Sequence, residues 1–173
     1  MRNSTIDRIF RSAILLVAAL AGALPGAAEA QSLARQWAWC REDDVERQII
    51  GCSVVIRSGR DTPERLSFAF ANRGRAWSDK GRYDRAIQDL DNAVRLDSNN
   101  ADAFNYRGVA WIAQGQYDHA IQDFDVAIRL DPNYAIAIYN RGLALQTLGR
   151  TEAAARDFAT AKQVGPRLTP PKE

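Results

Sequence analysis

The sequence has few of the side chains on which catalysis and metal binding usually depend, with one histidine and two cysteines in 173 residues. His119 has no serine, cysteine or lysine placed with it as a nucleophile beside a base. A metal site needs several ligands close together, and the repeat region around His119 offers no second thiolate or imidazole. A glycine-rich phosphate-binding pattern is also absent. We therefore expect no catalytic residues, no metal and no cofactor, with His119 facing water.

An excess of charge of one sign is missing as well. There are 23 Lys and Arg against 21 Asp and Glu, a formal net charge of +2, and the basic residues are interspersed with acidic ones. Nucleic-acid-binding proteins usually carry a basic stripe or patch that neutralises phosphates. We expect no nucleic-acid partner.

The long apolar run near the N-terminus covers residues 13–24, and its 12 residues are fewer than the roughly 20 that cross a bilayer as a helix. It is preceded by the basic residues Arg2, Arg8 and Arg11. Ala28 and Ala30 follow it as the small residues of a signal-peptidase site. This order predicts a signal peptide over residues 1–30, and a periplasmic or secreted mature chain that starts at Gln31 without stable membrane insertion. The alternative is a segment retained as a membrane anchor.

From residue 67 onward the sequence repeats with a period of 34 residues. The first two units, 67–100 and 101–134, are identical at 19 of 34 positions, and a third unit follows at 135–168. Repetition at this spacing predicts stacked helical hairpins, because each hairpin can bury its apolar face only against its neighbours.

Each unit is predicted to contain two helices. In the second unit Phe104, Gly108 and Trp111 share one face of the first helix, at spacings of four and three residues. Gly115 is expected to end that helix, since glycine enters the left-handed backbone region without strain. Asp118 is a candidate cap for the second helix, and residues 131–133 are expected to stop that helix and to cap the next one.

These positions resemble the pattern of the tetratricopeptide repeat family, in which aromatic and small residues recur at fixed offsets before a proline. The matching residues in the second unit are Phe104, Gly108, Trp111, Ala120, Phe124, Ala127 and Pro132. The resemblance implies an all-α fold, a right-handed α-solenoid of three hairpins over residues 63–168, with a tail at 169–173. The chain also looks like small exported members of the family from Gram-negative bacteria, which carry a cysteine-bearing cap.

Residues 31–62 are expected to form a degenerate N-terminal helical cap over the first hairpin. Within them, residues 46–56 resemble the second helix of a repeat unit. Thr62 and Pro63 then have the residue types preferred at the N-cap and first position of a helix. The next helix is therefore predicted to begin here and to continue to Lys80.

Cys40 and Cys52 are predicted to form a disulfide in this cap, because an exported protein with two cysteines usually pairs them. Twelve residues of continuous helix would separate the two by about 18 Å, much farther than a disulfide allows. The chain must therefore reverse between them, and we place the reversal at residues 42–44. A redox-active pair is the alternative, although its usual Cys-x-x-Cys spacing is absent.

Two rows of charge recur with the repeat. They consist of Arg73, Arg107 and Arg141 on the first helices and of Asp89, Asp123 and Asp157 on the second helices. We expect each arginine to pair with an aspartate, because every unit keeps both partners and pairing would neutralise charge at the hairpin interface. The alternative is a row of arginines that binds an anion.

The family resemblance assigns groove positions to the first helix of each unit. Carried onto this sequence they are Phe68, Asn72, Arg75, Asn105, Tyr106, Val109, Ile112, Tyr139, Asn140, Leu143 and Gln146. Some members clamp a C-terminal carboxylate with lysine, arginine and asparagine, but this chain lacks the lysines and Asp102 has the wrong sign. The mixture of tyrosine, asparagine and aliphatic residues suits an extended peptide or a partner protein. We therefore expect a non-enzymatic binding scaffold.

A self-assembling structural adaptor is the alternative function. Only a short tail with Pro170 and Pro171 follows the third unit, so no capping helix is expected there. The last helix is then predicted to expose Phe158 beside Ala161 and to join a second copy of the chain as a homodimer. In the competing interpretation, Lys162 covers this apolar surface together with a neighbouring arginine.

Overall fold

The computed structural model describes residues 25–165, which form eight helices. Their bounds are α1 Pro25–Cys40, α2 Val45–Ser58, α3 Pro63–Asp79, α4 Tyr83–Leu96, α5 Ala101–Ala113, α6 Tyr117–Leu130, α7 Ala135–Thr147 and α8 Thr151–Val164. The chain divides into two compact units, Met1–Ala34 and Arg35–Glu173. Of the first unit only the beginning of α1 is described.

The apolar run of the predicted signal peptide lies outside the described residues, as does the predicted tail. Helix α1 begins at Pro25 and continues through the predicted cleavage point after Ala30. None of the described helices combines the length and apolar character that crossing a bilayer requires.

The second unit is all-α, and helices α3 to α8 pack as three hairpins, which confirms the predicted fold class. The two helices of each hairpin contact each other, and the second helix of one hairpin contacts the first helix of the next. First helices α3, α5 and α7 also contact one another in series, whereas the described second helices α4, α6 and α8 do not. The array therefore curves with its first helices on the inner, concave side.

Glycine allows the two helices of each repeat hairpin to approach closely. A Cβ added to Gly108 would lie 2.6 Å from Cε1 of Phe124, a side chain that is fully buried. Gly115 ends the first helix with φ of 75°, as predicted from its left-handed preference. Phe124 packs with Ala120, Ala127 and their neighbours in one continuous cluster. Close backbone approach and large buried side chains thus alternate along the core.

The charged rows form ion pairs, as predicted. Nε and Nη2 of Arg107 donate to the two carboxylate oxygens of Asp123, at 2.8 and 2.6 Å. Nη1 donates to Asp91 of the preceding hairpin, at 2.7 Å. Equivalent bidentate pairs join Arg73 to Asp89 and Arg141 to Asp157. Each arginine therefore holds its own hairpin together, and its third nitrogen reaches the hairpin before it.

Two predicted helix caps are wrong. Gln116 is the N-cap of α6, and Asp118 lies in the first turn, where it accepts a hydrogen bond from Arg150 of the next hairpin. Tyr134 is the N-cap of α7, and neither helix has a side-chain cap. In both places the stacking of neighbouring hairpins fixes the start of the helix without the local capping bond.

The cap is a further helical hairpin, made of α1 and α2 and joined by the predicted Cys40–Cys52 disulfide. The chain reverses between Cys40 and Val45, as expected from the distance between the cysteines. Gly51 lies against the α1 backbone, since an added Cβ would be 2.5 Å from the carbonyl oxygen of Gln36. Thr62 caps α3 and Pro63 begins it, as predicted.

Candidate functional site

The concave face carries a row of exposed apolar side chains. Phe68 on α3 and Val109 on α5 are each 38% exposed, and Ile136 on α7 is 51% exposed. All three lie on first helices, where Phe68 and Ile136 occupy equivalent positions of the repeat and Val109 a position that the family resemblance assigns to the groove. Exposed apolar residues gathered on one face are typical of an interaction surface.

The three asparagines assigned to the groove differ in their burial and in their hydrogen-bond partners. Asn72 is buried, and its Nδ2 donates to the carbonyl oxygen of Cys40 at 3.1 Å, so its amide holds the end of α1. Asn105 is also buried, and its Oδ1 accepts from Nδ2 of Asn140 at 3.1 Å. The family resemblance assigns Asn72 and Asn105 to the groove, whereas in the structure both side chains are buried and their amides bond to other groups of the chain. Asn140 keeps a half-buried position on the concave side.

Two tyrosines lie close to the carboxylate of Asp102. The hydroxyl of Tyr134 donates to Oδ1 of Asp102, and burial together with this carboxylate raises the pKa of Tyr134. Burial, again with Asp102 nearby, raises the pKa of Tyr106. Both phenols therefore stay neutral, and the carboxylate of Asp102 remains the charged group at this position. Arg75 lies near Tyr106 and forms a 3.6 Å ion pair with Asp43 of the cap.

Two open pockets meet at Phe68, where the groove begins. One, called here the carboxylate pocket, has a volume of about 390 Å³. Its lining residues are Glu64, Phe68, Asp97, Asn99, Asn100, Ala101, Asp102, Asp131 and Tyr134. The other, called here the cap pocket, has a volume of about 240 Å³ and is lined by Trp37, Arg41, Glu64, Arg65 and Phe68. Glu64 and Phe68 thus line both pockets.

Most of these lining residues were not predicted from the sequence. Asp97 and Asp131 stand at equivalent positions of the loops that precede α5 and α7, so a repeat-spaced signal was present. Trp37 and Arg41 belong to α1, which lies outside the repeat and offers no such signal. Of the residues that line the two pockets, only Phe68 and Asp102 stand at positions that the family resemblance assigns to the groove.

The remaining predicted groove residues lie on α5 and α7. Ile112 is half-buried and packs against the core cluster around Phe124. The ring of Tyr139 packs on Phe158 with centroids 5.5 Å apart, and Leu143 is half-buried. Gln146 is exposed and lines a pocket of about 260 Å³ together with Phe158. Tyr139 and Gln146, which the family resemblance assigns to the groove, therefore lie beside Phe158 of the last described hairpin.

The surface proposed for self-association is smaller than predicted. Ala161 is buried, because it packs inside its own hairpin, and Phe158 is half-buried against Gly142 and Tyr139. The exposed position predicted for Ala161 is wrong.

Substitutions along the repeat explain why little apolar surface remains on α8. In α4 and α6 the positions that pack on the next hairpin include Ile87 and Ile121, and the equivalent residue in α8 is Ala155. Likewise Val94 and Ile128 are replaced by Lys162, and Ala159 stands where Asp125 accepts a bond from the next arginine. The last helix therefore lacks the large side chains and the acceptor that a following hairpin would use.

His119 is exposed, as predicted, and its ring lies 5.3 Å from that of Trp111. Its Nδ1 is 3.0 Å from Oε1 of Gln116. Within residues 25–165 no group of three or more His, Cys, Asp or Glu side chains is arranged to hold a metal ion.

Stacked hairpins with a groove along their first helices define a helical repeat scaffold. Residues 72–135 match the family profile described as Tetratricopeptide repeat. The second such domain of Spaghetti (RPAP3), solved with the HSP90 peptide SRMEEVD, is 30% identical, with 58% of this chain and 94% of that chain covered and a TM-score of 0.57. The chain belongs to the tetratricopeptide repeat family.

Two further solved structures are similar. The second domain of human RPAP3, in complex with the HSP70 peptide SGPTIEEVD, is 30% identical, covers 62% of this chain and 89% of that chain, and has a TM-score of 0.59. MamA shares the fold, with a TM-score of 0.66 at 22% identity over 78% of this chain and 77% of that chain. No curated protein sequence matches the chain.

Proposed function

We propose that the chain is a non-enzymatic scaffold that binds an extended peptide or a partner protein along its concave face. The row of exposed apolar residues, Phe68, Val109 and Ile136, carries this proposal. Two relatives at 30% identity were solved with peptides bound, which supports a peptide as the ligand class. An extended peptide would place alternate side chains against this row and its backbone near the half-buried amide of Asn140.

Replacing Val109 and Ile136 of this row by serine tests the proposal. Peptides would first be selected from a random displayed library, and their affinities measured by fluorescence anisotropy. We expect Val109→Ser with Ile136→Ser to weaken binding by about tenfold or more, because buried apolar anchors contribute most of the affinity of such surfaces. The fold should be retained, since both side chains are exposed in the free protein.

Ile50 and Val54 on α2 provide a matched control. They are 51% and 36% exposed, similar to Ile136 and Val109, but they lie on the second helix of the cap hairpin. Ile50→Ser with Val54→Ser should leave peptide affinity unchanged. Equal losses in the two double variants would contradict binding along the concave face, as would a library that yields no binder.

We further propose that the chain is exported and acts in the periplasm. The order of basic, apolar and small residues before Gln31 supports export, and a buried disulfide suits an oxidising compartment. N-terminal sequencing of the protein from the periplasmic fraction of a Gram-negative host is expected to give Gln31 as the first residue. A chain that begins at Met1 and remains in the membrane fraction would contradict the cleavage.

A further inference from the structure

The carboxylate pocket combines negative charge with an exposed aromatic ring. Its four carboxylates belong to Glu64, Asp97, Asp102 and Asp131, and Phe68 forms one side of it. Among the described residues none of the four takes part in an ion pair, although five arginines of the three repeat units do. The pocket is therefore a concentration of one sign of charge beside apolar surface.

Neutral donors hold these carboxylates in place. Oδ1 of Asp97 accepts from the backbone N–H of Asn99 at 2.9 Å, and Oδ1 of Asp131 accepts from that of Asn133 at 3.0 Å. Asp102 accepts from the hydroxyl of Tyr134. Neutral hydrogen bonds fix the positions of the oxygens without cancelling their charge, so a negative potential extends into the pocket.

The cap pocket, which Phe68 also lines, differs from the carboxylate pocket in its charged and aromatic residues. In the cap pocket the guanidinium of Arg65 lies 4.7 Å from the ring centroid of Trp37, and that of Arg41 lies 5.9 Å from the ring centroid of Phe68. Nε of Arg65 also pairs with Asp61 at 3.1 Å. Glu64 lines this pocket too, so the two arginines do not make it positive overall, but the aromatic rings and arginine stems supply apolar surface that suits an apolar side chain.

We propose that a peptide enters the groove with a lysine or arginine in the carboxylate pocket and an adjacent apolar side chain packed in the cap pocket. This proposal rests on the proposed peptide-binding function and adds the chemical class of the ligand. The methylene groups of a basic side chain would cover Phe68 while its charged end reaches Asp97, Asp102 or Asp131. Charge complementarity then sets both the preference and the position of the peptide.

The peptide seen with Spaghetti (RPAP3) has the opposite character. SRMEEVD carries one arginine against two glutamates and an aspartate, so its net charge is negative and its acidic side chains would face like charges in the carboxylate pocket. Like charges brought together at an interface disfavour binding. The two proteins share a fold, and we expect them to select peptides of opposite charge.

Two synthetic peptides of equal length test this inference by fluorescence anisotropy. One is SRMEEVD, and the other is SRMKKVK with an amidated C-terminus, in which all three acidic residues become lysine. We expect the lysine peptide to bind at least about tenfold more tightly at low salt. Raising the salt concentration should reduce the difference, because exposed charges are screened.

The variant Asp97→Asn with Asp131→Asn removes two charges but keeps an oxygen to accept the turn hydrogen bonds. It should bind the lysine peptide about tenfold more weakly than the wild-type chain. Asp84→Asn with Glu152→Gln removes the same number of charges from exposed first turns of α4 and α8, outside the pocket, and should bind as the wild type does.

The outcomes separate this inference from the proposed function. Library peptides that bind the groove without basic residues, or equal binding of the lysine peptide by the asparagine variant and the wild type, would overturn the charge preference and leave peptide binding intact. If neither the library nor the two synthetic peptides bind, the proposed function fails and the inference fails with it.

Discussion

Asp123→Ala is expected to lower the free energy of unfolding by about 3 kcal/mol, because it leaves the guanidinium of Arg107 without its buried partner. Asp123 is 5% exposed, and both of its oxygens accept from Arg107. Removing one member of a buried pair lowers stability by more than the intact pair adds to it, since the remaining charge stays buried with neither its partner nor its hydration shell. Urea denaturation followed by circular dichroism measures the change.

Asp91→Ala is the matched control, because Asp91 binds the third nitrogen of the same arginine. The side chain of Asp91 is 57% exposed, and water can replace it as the acceptor. We expect a loss of less than about 1 kcal/mol for this variant. Equal losses for the two alanine variants would show that burial of Asp123 does not determine the strength of the pair.

The features that recur in every hairpin could be predicted from the sequence. The pairing of Arg107 with Asp123 followed from two rows of charge at a spacing of 34 residues. The close approach at Gly108 followed in the same way from the repeated small residue. Contacts of this kind occur in all three units, so their residues can be recognised in the sequence by their regular spacing. Their recurrence explains why the fold class could be stated before the structure.

Features that occur only once could not be predicted in this way. Asn72 was assigned to the groove from the family resemblance, yet it donates to the carbonyl oxygen of Cys40 in α1, a helix of the cap whose sequence lies outside the repeat. The positions of Trp37 and Arg41 depend on the same unique neighbour. The carboxylate pocket combines a loop from each of two hairpins, so its charge density is not apparent from any single segment.

At the last hairpin the observed surface of α8 differs from the predicted one for a third reason. Phe158 stands at the aromatic position of the family pattern, and this suggested an exposed apolar patch on α8. The positions around it decide the outcome, because Ala155 and Lys162 replace the isoleucine and aliphatic residues that pack between earlier hairpins. Comparing the units position by position, rather than by the family pattern, would have found this reduced surface.

Loss of the Cys40–Cys52 disulfide is the second change expected to have a large effect. The cross-link closes a loop of 13 residues, for which the chain-entropy relation gives about 3 kcal/mol. Both cysteines are fully buried between α1 and α2, and the carbonyl oxygen of Cys40 also accepts from Gln48 and Asn72. Cys40→Ala with Cys52→Ala should therefore loosen the junction between the cap and α3.

In an array of this kind each hairpin is stabilised mainly by its neighbours, so the effect should be local. Hydrogen exchange is expected to become faster in residues 35–58 and to change little in α7 and α8 when the two cysteines are replaced or the wild type is reduced. Ser53→Ala on α2 is the control, since it removes one hydrogen bond from Arg73 and leaves the disulfide in place. Unchanged exchange in α2 after reduction would show that packing around Gly51 and Gln48 holds the cap without the cross-link.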